Sequence, residues 1–326
     1  MAEGKPTIEI GNLSKSYGKV KAVDGITLTV PEGEIFALLG PNGAGKTTTI
    51  SMLCGLLAPT GGRATVAGFD VQNEPLEVRQ QIGVVFQQPS VDDLLTGKEN
   101  MIMHAYLYGM KKEGLDERIG DMLELVELKD RQHSRIKEYS GGMRKRLELV
   151  RGILHRPKIL FLDEPTVGLD PQTRAHIWQY IRKLSKSQGT TVVFTTHYLE
   201  EAEAYADRVA IIDHGKIISV GTPKGLVESL GGDIVNLKLA QPKTAIAKIR
   251  KMKFASSVKL GKDGVVSVTV AHLKGNLPVL LKAVPGIESI EIHPATLNDV
   301  FIKYTGKQIR GEGGEGGFWD RIMNDK

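Results

Sequence analysis

The sequence predicts an α/β fold with a largely parallel sheet, followed by a smaller α+β domain. Over the first 230 residues, short apolar runs alternate with helix-like segments, which is typical of parallel strands buried on both faces. After Leu230-Gly231-Gly232 the pattern changes to strand, helix, strand, strand, helix, strand. We therefore predict one domain over residues 5–230 and a second over residues 231–306.

The strands of the first domain are predicted from two apolar patterns. Alternation predicts half-exposed strands, whereas wholly apolar runs predict buried parallel strands. The alternating segments are Ile8–Ile10 and Ile26–Val30, and the buried runs are Ile35–Leu39, Ile82–Phe86, Ile159–Leu162 and Val192–Thr195. Residues 94–150 show helical periodicity without a strand pattern, which predicts a helical subdomain. Two further runs, 208–213 and 216–220, flank a His-Gly pair and predict a hairpin.

The second domain has the element order of a ferredoxin-like α+β module. Its predicted elements are a strand at 234–239, a helix at 244–251, a hairpin around 261–264, a helix at 277–284 and a strand at 287–292. A helix over 295–304 is expected to cap this domain. Residues 307–326 include a Gly-Glu-Gly-Gly-Glu-Gly-Gly run and are predicted to form a flexible tail. Its Phe-Trp end fits either a disordered terminus or a docking peptide.

Composition narrows the class of protein. The chain has 326 residues, of which 41% are hydrophobic, and can bury a large core. Its formal charge of +5, from 43 basic and 38 acidic residues, is spread along the chain, so we expect no nucleic-acid partner. The single cysteine, Cys54, excludes an internal disulfide and fits the reducing cytoplasm. No apolar run reaches the roughly 18 residues of a membrane span, so we expect any membrane role to need a partner chain.

The clearest motif lies between the buried run at 35–39 and a helix-like segment. This phosphate loop comprises Gly40, Pro41, Asn42, Gly43, Ala44, Gly45, Lys46, Thr47 and Thr48. Its glycines allow several backbone N–H groups to surround an anion at the N-terminus of a helix. Lys46 adds a positive charge for the β- and γ-phosphates, and the Thr47 hydroxyl can bind Mg²⁺. The motif therefore predicts a site for a nucleoside triphosphate.

Acidic and imidazole side chains follow two of the buried strands. Asp163 and Glu164 end the run that begins at residue 159, and His197 ends the run that begins at residue 192. Because the carboxyl ends of parallel strands meet at one edge of the sheet, these side chains should lie beside the phosphate loop. We expect Asp163 to bind Mg²⁺, Glu164 to polarise the attacking water and His197 to contact the γ-phosphate. The sequence thus predicts triphosphate hydrolysis.

These motifs occur in one order with three others. The full set is Gly40–Thr47, Gln87 after the 82–86 run, Tyr139-Ser140-Gly141-Gly142-Met143, Asp163-Glu164, Gly168-Leu169-Asp170 and His197. In this combination, residues 7–230 resemble an ATP-binding-cassette (ABC) ATPase. The resemblance implies a P-loop ABC core, with a mostly parallel sheet, an antiparallel β subdomain and a helical subdomain. It also implies ATP and Mg²⁺ as ligands, and a head-to-tail homodimer that binds two ATP molecules.

The resemblance also assigns roles to residues beyond the phosphate loop. Tyr17 is expected to stack on adenine, with Val23 lining the same wall. Gln87 is expected to join the Mg²⁺ and water site as both a catalytic and a metal-binding residue. Asp170 resembles the aspartate that organises the dimer seam.

The signature residues, Ser140, Gly141 and Gly142, are expected to bind the γ-phosphate of ATP held by the opposite subunit. Their helix would point its N-terminal amides at that phosphate. The next residue, Met143, departs from the glutamine of the commonest signature and cannot make a polar ribose contact.

The variant signature with its following Arg-Lys-Arg-Leu run, together with Ala295–Ile302, resembles the daunorubicin-type drug-resistance branch of ABC exporters. That resemblance implies a separate ABC-2-type membrane permease and a peripheral position on the inner face of the cell membrane. We interpret basic residues 144–146 as a solvated helix face. The alternatives are a soluble ABC ATPase that acts on ribosomes or nucleic acid, and an importer ATPase.

Overall fold

The structure, a computed structural model, describes residues 6–87, 90–261 and 264–305. The side chains of residues 187 and 188 are outside this description. The predicted flexible tail at 307–326 and the middle of the predicted hairpin, residues 262 and 263, also lie outside the described residues. The chain divides into two compact units between Val220 and Gly221, and each unit is described by itself.

Two sheets form the frame of the first unit. Its strands are β1 (Pro6–Tyr17), β2 (Val20–Pro31), β3 (Ile35–Leu39), β4 (Gly61–Val66), β5 (Phe69–Asp70), β6 (Ile82–Val85), β7 (Ile159–Asp163), β8 (Thr191–Thr196), β9 (Arg208–Asp213) and β10 (Lys216–Gly221). The central sheet has the order β10-β9-β3-β8-β7-β6, and its strands from β9 to β6 pair in parallel. The other sheet, β2-β1-β4-β5, is antiparallel. This arrangement confirms the predicted α/β class.

The helices of the first unit connect these strands. They are α1 (Lys46–Leu53), α2 (Pro75–Gln81), α3 (Gly97–Leu107), α4 (Leu115–Leu125), α5 (Gly141–Ile153), α6 (Pro171–Gln188) and α7 (Leu199–Tyr205), with 3-10 turns at Lys129–Arg131 and Ile136–Glu138. Helix α3 begins with a capping box, in which the Thr96 and Glu99 side chains each accept a backbone hydrogen bond from the other residue. The span from α3 to α5 is the helical segment that the periodicity predicts.

The first unit has more than one apolar core. One cluster joins the two sheets and includes the fully buried Phe36 and Phe161. A second cluster lies within the helical segment and includes Ile119, Leu123 and Leu147. Because the helical segment buries its own apolar cluster, it packs as a subdomain.

The second unit is a four-stranded antiparallel sheet with helices. Its elements are α8 (Pro223–Glu228), β11 (Asp233–Leu239), α9 (Pro242–Ile249), β12 (Ala255–Leu260), β13 (Val265–Val270), α10 (Leu273–Ala283), β14 (Ile287–His293) and α11 (Leu297–Thr305). The strand order β12-β13-β11-β14, with antiparallel pairing throughout, confirms the predicted ferredoxin-like module. None of the described helices is both long enough and apolar enough to cross a membrane.

The residues just before the second domain belong to this unit. The Lys303 ammonium donates a hydrogen bond to the Ser229 carbonyl at 3.1 Å, and the Ser256 hydroxyl donates one to the Leu230 carbonyl at 3.1 Å. Because these contacts tie the segment after Gly221 to later elements, the unit begins before the boundary at residue 231 that the sequence suggests.

Candidate functional site

The phosphate loop connects β3 to α1 and is held tightly by its neighbours. A Cβ atom at Gly40 would lie 2.2 Å from the Ile212 carbonyl oxygen, so only glycine fits there. Gly45 has a φ of +101°, and a Cβ atom on it would lie 2.4 Å from the Ala22 carbonyl oxygen. The outer part of the loop is open to solvent at Asn42 and Gly43. The loop therefore presents its backbone outwards at the start of a helix, as an anion site requires.

Lys46 lies beneath the phosphate loop and is only 5% exposed. Its ammonium donates hydrogen bonds to the carbonyl oxygens of Gly40 at 2.8 Å and Pro41 at 3.1 Å. The ammonium also lies 3.3 Å from Oε1 of Glu164, the residue that follows β7. Burial lowers the pKa of Lys46, and the Glu164 carboxylate opposes that shift.

Glu164 is the centre of the site. It is 6% exposed, and its Oε1 lies 3.1 Å from Nδ1 of His197, which is 8% exposed. Its Oε2 accepts a hydrogen bond from the Gln87 amide at 3.4 Å. Burial acts to raise the pKa of Glu164, but the hydrogen bond from His197 and the charge of Lys46 outweigh it and hold the pKa below 4.5. The carboxylate is therefore ionised at neutral pH and can accept a proton.

Asp163 ends β7 beside Glu164 and is 1% exposed. Its Oδ1 accepts a hydrogen bond from the Thr195 hydroxyl at 2.5 Å, whereas Oδ2 has no partner among the described residues. A buried carboxylate oxygen without a partner is costly, and a hard cation satisfies it. This oxygen and the exposed Thr47 hydroxyl, one residue into α1, fit Mg²⁺, which commonly takes one or two protein ligands together with phosphate oxygens.

Two residues that the sequence analysis does not select, Thr195 and Glu201, make hydrogen bonds beside Asp163 and Glu164. The Thr195 hydroxyl, which donates to Asp163, also accepts a hydrogen bond from the backbone N–H of Glu164 at 3.0 Å. Glu201 is 3% exposed and accepts hydrogen bonds from the Thr196 hydroxyl at 2.9 Å and from the Thr166 hydroxyl. In the sequence, Thr195 and Thr196 at the end of β8 could have indicated these hydrogen bonds. Strand β8 pairs with β7 and sets Asp163 opposite Thr195.

The structure thus brings Lys46, Asp163, Glu164 and His197 together as a buried cluster, with Gln87 at its edge. We call it the catalytic cluster after the role that the sequence predicts for it. The signature residues lie apart from this cluster, at the exposed start of α5. The Ser140 hydroxyl accepts the Met143 N–H at 3.3 Å, as a helix cap does, and a Cβ atom at Gly141 would meet nothing within 4 Å.

The residues around the signature anchor it to the helical subdomain. Tyr139 is buried and donates a hydrogen bond to the Arg131 carbonyl at 2.8 Å. Met143 packs against the apolar cluster of the subdomain. The interpretation of residues 144–146 as a solvated helix face is wrong for Lys145, which is 6% exposed and donates to the Phe86 carbonyl at 2.7 Å. That face of α5 packs on the chain after β6, which periodicity alone does not reveal.

The remaining predicted residues have separate surroundings. Tyr17, at the end of β1, is 51% exposed, with the Lys15 ammonium 5.5 Å from the centre of its ring. Val23 is fully buried, and its Cγ2 would lie 3.4 Å from a Cβ atom on Gly45. Asp170 caps α6 by accepting the Thr173 N–H at 2.9 Å, and this hydrogen bonding lowers the pKa of Asp170. Their roles at adenine and at a dimer seam stay predictions.

A glycine-rich loop with a buried lysine, facing an ionised carboxylate at the ends of parallel strands, defines a P-loop nucleoside triphosphatase. Comparison with known proteins narrows this class. The family model described as ABC transporter matches residues 23–167.

Three curated relatives match almost the whole chain. It is 40% identical over 305 residues to the daunorubicin/doxorubicin resistance ATP-binding protein of Streptomyces peucetius, covering 92% of each chain. It is 36% identical over 310 residues to the linearmycin resistance ATP-binding protein of Bacillus subtilis, covering 93% of this chain and 99% of that one. It is also 36% identical over 304 residues to the Nod factor export ATP-binding protein I of Burkholderia orbicola, covering 93% of this chain and 98% of that one.

Solved structures agree on the fold of the first unit. An ATP-binding subunit of an ABC transporter matches with a TM-score of 0.65 at 29% identity, covering 69% of this chain and 93% of that one. A dimeric ATP-binding cassette in a post-hydrolysis state with ADP and Pi matches with a TM-score of 0.62 at 28% identity. This match covers 66% of this chain and 98% of that one. The chain belongs to the ATP-binding subunits of ABC transporters, in the daunorubicin-resistance group. The predicted family and the predicted ATPase activity are confirmed.

Proposed function

We propose that this chain is the ATP-hydrolysing subunit of an exporter whose translocation path is a separate ABC-2-type membrane permease. The observation that carries the proposal is the pairing of a buried catalytic cluster with an exposed signature on α5. Relatives named for drug resistance and for Nod factor export support the exporter function. The soluble ABC ATPase acting on ribosomes or nucleic acid is the less favoured alternative.

Hydrolysis follows from the catalytic cluster. The phosphate loop and Lys46 bind the β- and γ-phosphates of ATP and offset the charge that spreads over the transferred phosphoryl group. Glu164 accepts a proton as water attacks, and His197 holds its Oε1. Asp163 and Thr47 would hold Mg²⁺, which neutralises phosphate charge when bound.

The signature serves a second copy of the chain. Its glycines and the free N–H groups at the start of α5 bind the γ-phosphate of ATP on the partner subunit, so that two ATP molecules close the dimer head to tail. The exposure of Ser140 and Gly141 and the solved dimer of a similar cassette support this. Asp170, exposed at the start of α6, is suited to the same seam.

The permease docks on the apolar surface around α3. Its exposed apolar side chains are Tyr106 and Leu107, at the end of α3, which are 54% and 76% exposed, and Leu94, before the start of α3, which is 74% exposed. We call these three side chains the docking surface, because large exposed apolar side chains are what a protein–protein interface covers. Docking here would hold the chain at the inner face of the cell membrane and connect the permease to the segment that carries Gln87.

Purification from mild detergent tests the proposal. We expect the tagged full chain to retain an integral membrane protein, and the Leu107→Glu variant to lose most of it. Val279→Glu, at a side chain of the second unit that is 51% exposed, is the matched control and should retain it. Retention of no membrane protein would overturn the proposal, and equal retention by Leu107→Glu would overturn the docking surface. Salt-sensitive stimulation of the ATPase by RNA or DNA would favour the alternative.

A further inference from the structure

One face of α5 carries three charged side chains that are removed from water. Lys145, Glu148 and Arg151 follow each other at intervals of three residues and share a helix face. Their side chains are at most 12% exposed. Burying charges is costly unless they are paired and hydrogen-bonded, so their partners identify what this face holds.

All three partners lie on the chain just after β6. The Lys145 ammonium donates to the Phe86 carbonyl at 2.7 Å. The Glu148 carboxylate accepts the Ser90 N–H, and the Arg151 guanidinium donates to the Ser90 carbonyl at 2.8 Å. Arg151 and Glu148 also approach each other at 3.9 Å. We call these three side chains the α5 clamp.

The helix itself is seated directly on β6. A Cβ atom at Gly83 would lie 2.1 Å from the Gly152 carbonyl oxygen, and one at Gly152 would lie 2.8 Å from Cγ2 of Val85. The two glycines therefore allow close backbone packing. As a result, a shift of α5 would be passed to the end of β6 rather than absorbed by flexible side chains.

The clamp reaches the catalytic cluster through one peptide group. The Phe86 carbonyl and the Gln87 N–H belong to the same planar unit, so fixing one orients the other. The Gln87 side chain in turn donates to Glu164 at 3.4 Å. Lys145 is thus linked to the catalytic carboxylate by a short chain of contacts, although it is not part of the cluster.

We propose that Lys145 is a positioning residue that sets Gln87 against Glu164, and that the α5 clamp makes this placement depend on the position of the signature helix. The same helix carries the signature residues at its start. Binding of the partner's ATP at one end of α5 would therefore be transmitted to the chain's own Glu164. This second step rests on the proposed dimer, whereas the contact of Lys145 with Phe86 does not.

The charges on the clamp are mutually compensating. Burial lowers the pKa of Lys145, and the Glu148 carboxylate opposes that shift. Burial likewise raises the pKa of Glu148, and the Ser90 N–H and the Lys145 charge oppose it. Each side chain thus offsets part of the cost of burying the other's charge.

The first experiment compares substitutions at Lys145 in the purified full chain. We expect Lys145→Met to lower kcat about tenfold by misplacing Gln87, with the ATP dissociation constant changed less than about twofold. Lys145→Arg keeps a charged donor and should restore most of kcat, and Lys112→Met, at an exposed lysine of the same subdomain, should have no effect. A folded Lys145→Met variant with wild-type kcat would overturn the proposal. If that variant does not fold, Lys145→Ala, which also lacks a donor, replaces it, and an unchanged kcat is again contradictory.

The second experiment separates positioning from a loss of structure in α5. ATP should still drive dimerisation of Glu164→Gln, with or without Lys145→Met, in size-exclusion chromatography; failure of Glu164→Gln alone would count against the proposed dimer instead. Mixed dimers are then followed through one round of hydrolysis. Hydrolysis in this round should be slow when Lys145→Met lies on the same chain as the intact Glu164. It should have the normal rate when Lys145→Met lies on the partner chain, which carries Glu164→Gln. Equal slowing in both would show that the substitution damages the signature, and would overturn the positioning role.

Discussion

The two parts of the candidate site are built in opposite ways. Lys46, Glu164 and His197 are at most 8% exposed, and Lys46 and His197 each contact Glu164, whereas Ser140 and Gly141 at the start of α5 are exposed. A buried ammonium and carboxylate must be paired within the chain, because water is not available to solvate them. The N–H groups of an exposed helix start remain hydrated at little cost and are free to bind a ligand. The contrast suggests that one half of the site is complete, while the other half serves a second chain.

The largest expected effect comes from the buried half. Glu164→Gln keeps the size of the side chain but removes the proton acceptor, so kcat should fall about 10²- to 10⁴-fold. ATP binding should persist, because Lys46 and the phosphate loop are unchanged. Phosphate release and nucleotide binding, measured in parallel, check this. Glu200→Gln, at an exposed residue of α7, is the control, and a normal rate in Glu164→Gln would refute its role.

The exposed half should lose activity without losing stability. A Cβ atom at Gly142 would lie 3.8 Å from Cδ2 of Leu169, which is ordinary contact, and α5 has no acidic residue in its first turn. Gly142→Asp should therefore stabilise the chain slightly, by about 0.3–1 kcal/mol, through the helix dipole. The added charge should repel phosphate and lower ATPase activity by about 100-fold or more.

The contrasting substitution is Gly40→Ala in the phosphate loop, where the new Cβ would lie 2.2 Å from the Ile212 carbonyl oxygen. It should destabilise the chain by about 1–3 kcal/mol through overpacking. Urea unfolding of both variants compares the two halves. Similar destabilisation at Gly40 and Gly142 would show that the signature is not an open surface.

The remaining effect is a pH-dependent change in stability and concerns a buried carboxylate that is poorly paired. Glu34 has an Oε2 with no partner in the part of the chain that the structure describes, although Arg208 lies 3.5 Å from Oε1. Burial raises the pKa of Glu34 to about 7, the Arg208 charge opposing and the Asp207 charge adding to the shift. Glu164, with closer partners, shifts in the opposite direction.

The direction in which pH changes the free energy of unfolding follows from proton binding. Between its ordinary value of 4.5 and about 7, folded Glu34 holds a proton that the unfolded chain has lost, so the free energy of unfolding falls as pH rises through this window. Glu34→Gln should gain about 1–3 kcal/mol over the wild type by pH 8 and little at pH 4.5. Urea unfolding of the wild type and the variant at pH 8 and pH 4.5 checks this prediction. The control is Glu32→Gln, at an exposed residue. A gain that does not depend on pH would contradict this explanation.

The sheet and the phosphate loop could be predicted from the sequence because their signals are local. Apolar runs identify β3, β7 and β8, and the spacing of Gly40, Gly45 and Lys46 identifies the loop between a strand and a helix. Parallel strand ends then explain why Asp163 and Glu164 lie near Lys46.

The surroundings of other side chains could not be predicted in the same way. Lys145 stands in a basic run that is typical of a solvated face, yet the chain after β6 covers it. Helix α10 begins at Leu273 and continues through Pro278, whereas the sequence places its start beside the proline. For Lys145, a contact between distant parts of the chain outweighs the local pattern.

The central claim is that a second copy of the chain completes the site. Size-exclusion chromatography with light scattering on the Glu164→Gln variant tests it most directly. With ATP, we expect its mass to double, and we expect Glu164→Gln combined with Gly142→Asp to bind ATP but keep the mass of one chain. A single-chain mass for Glu164→Gln with ATP bound, or equal dimerisation of the combined variant, would contradict the account.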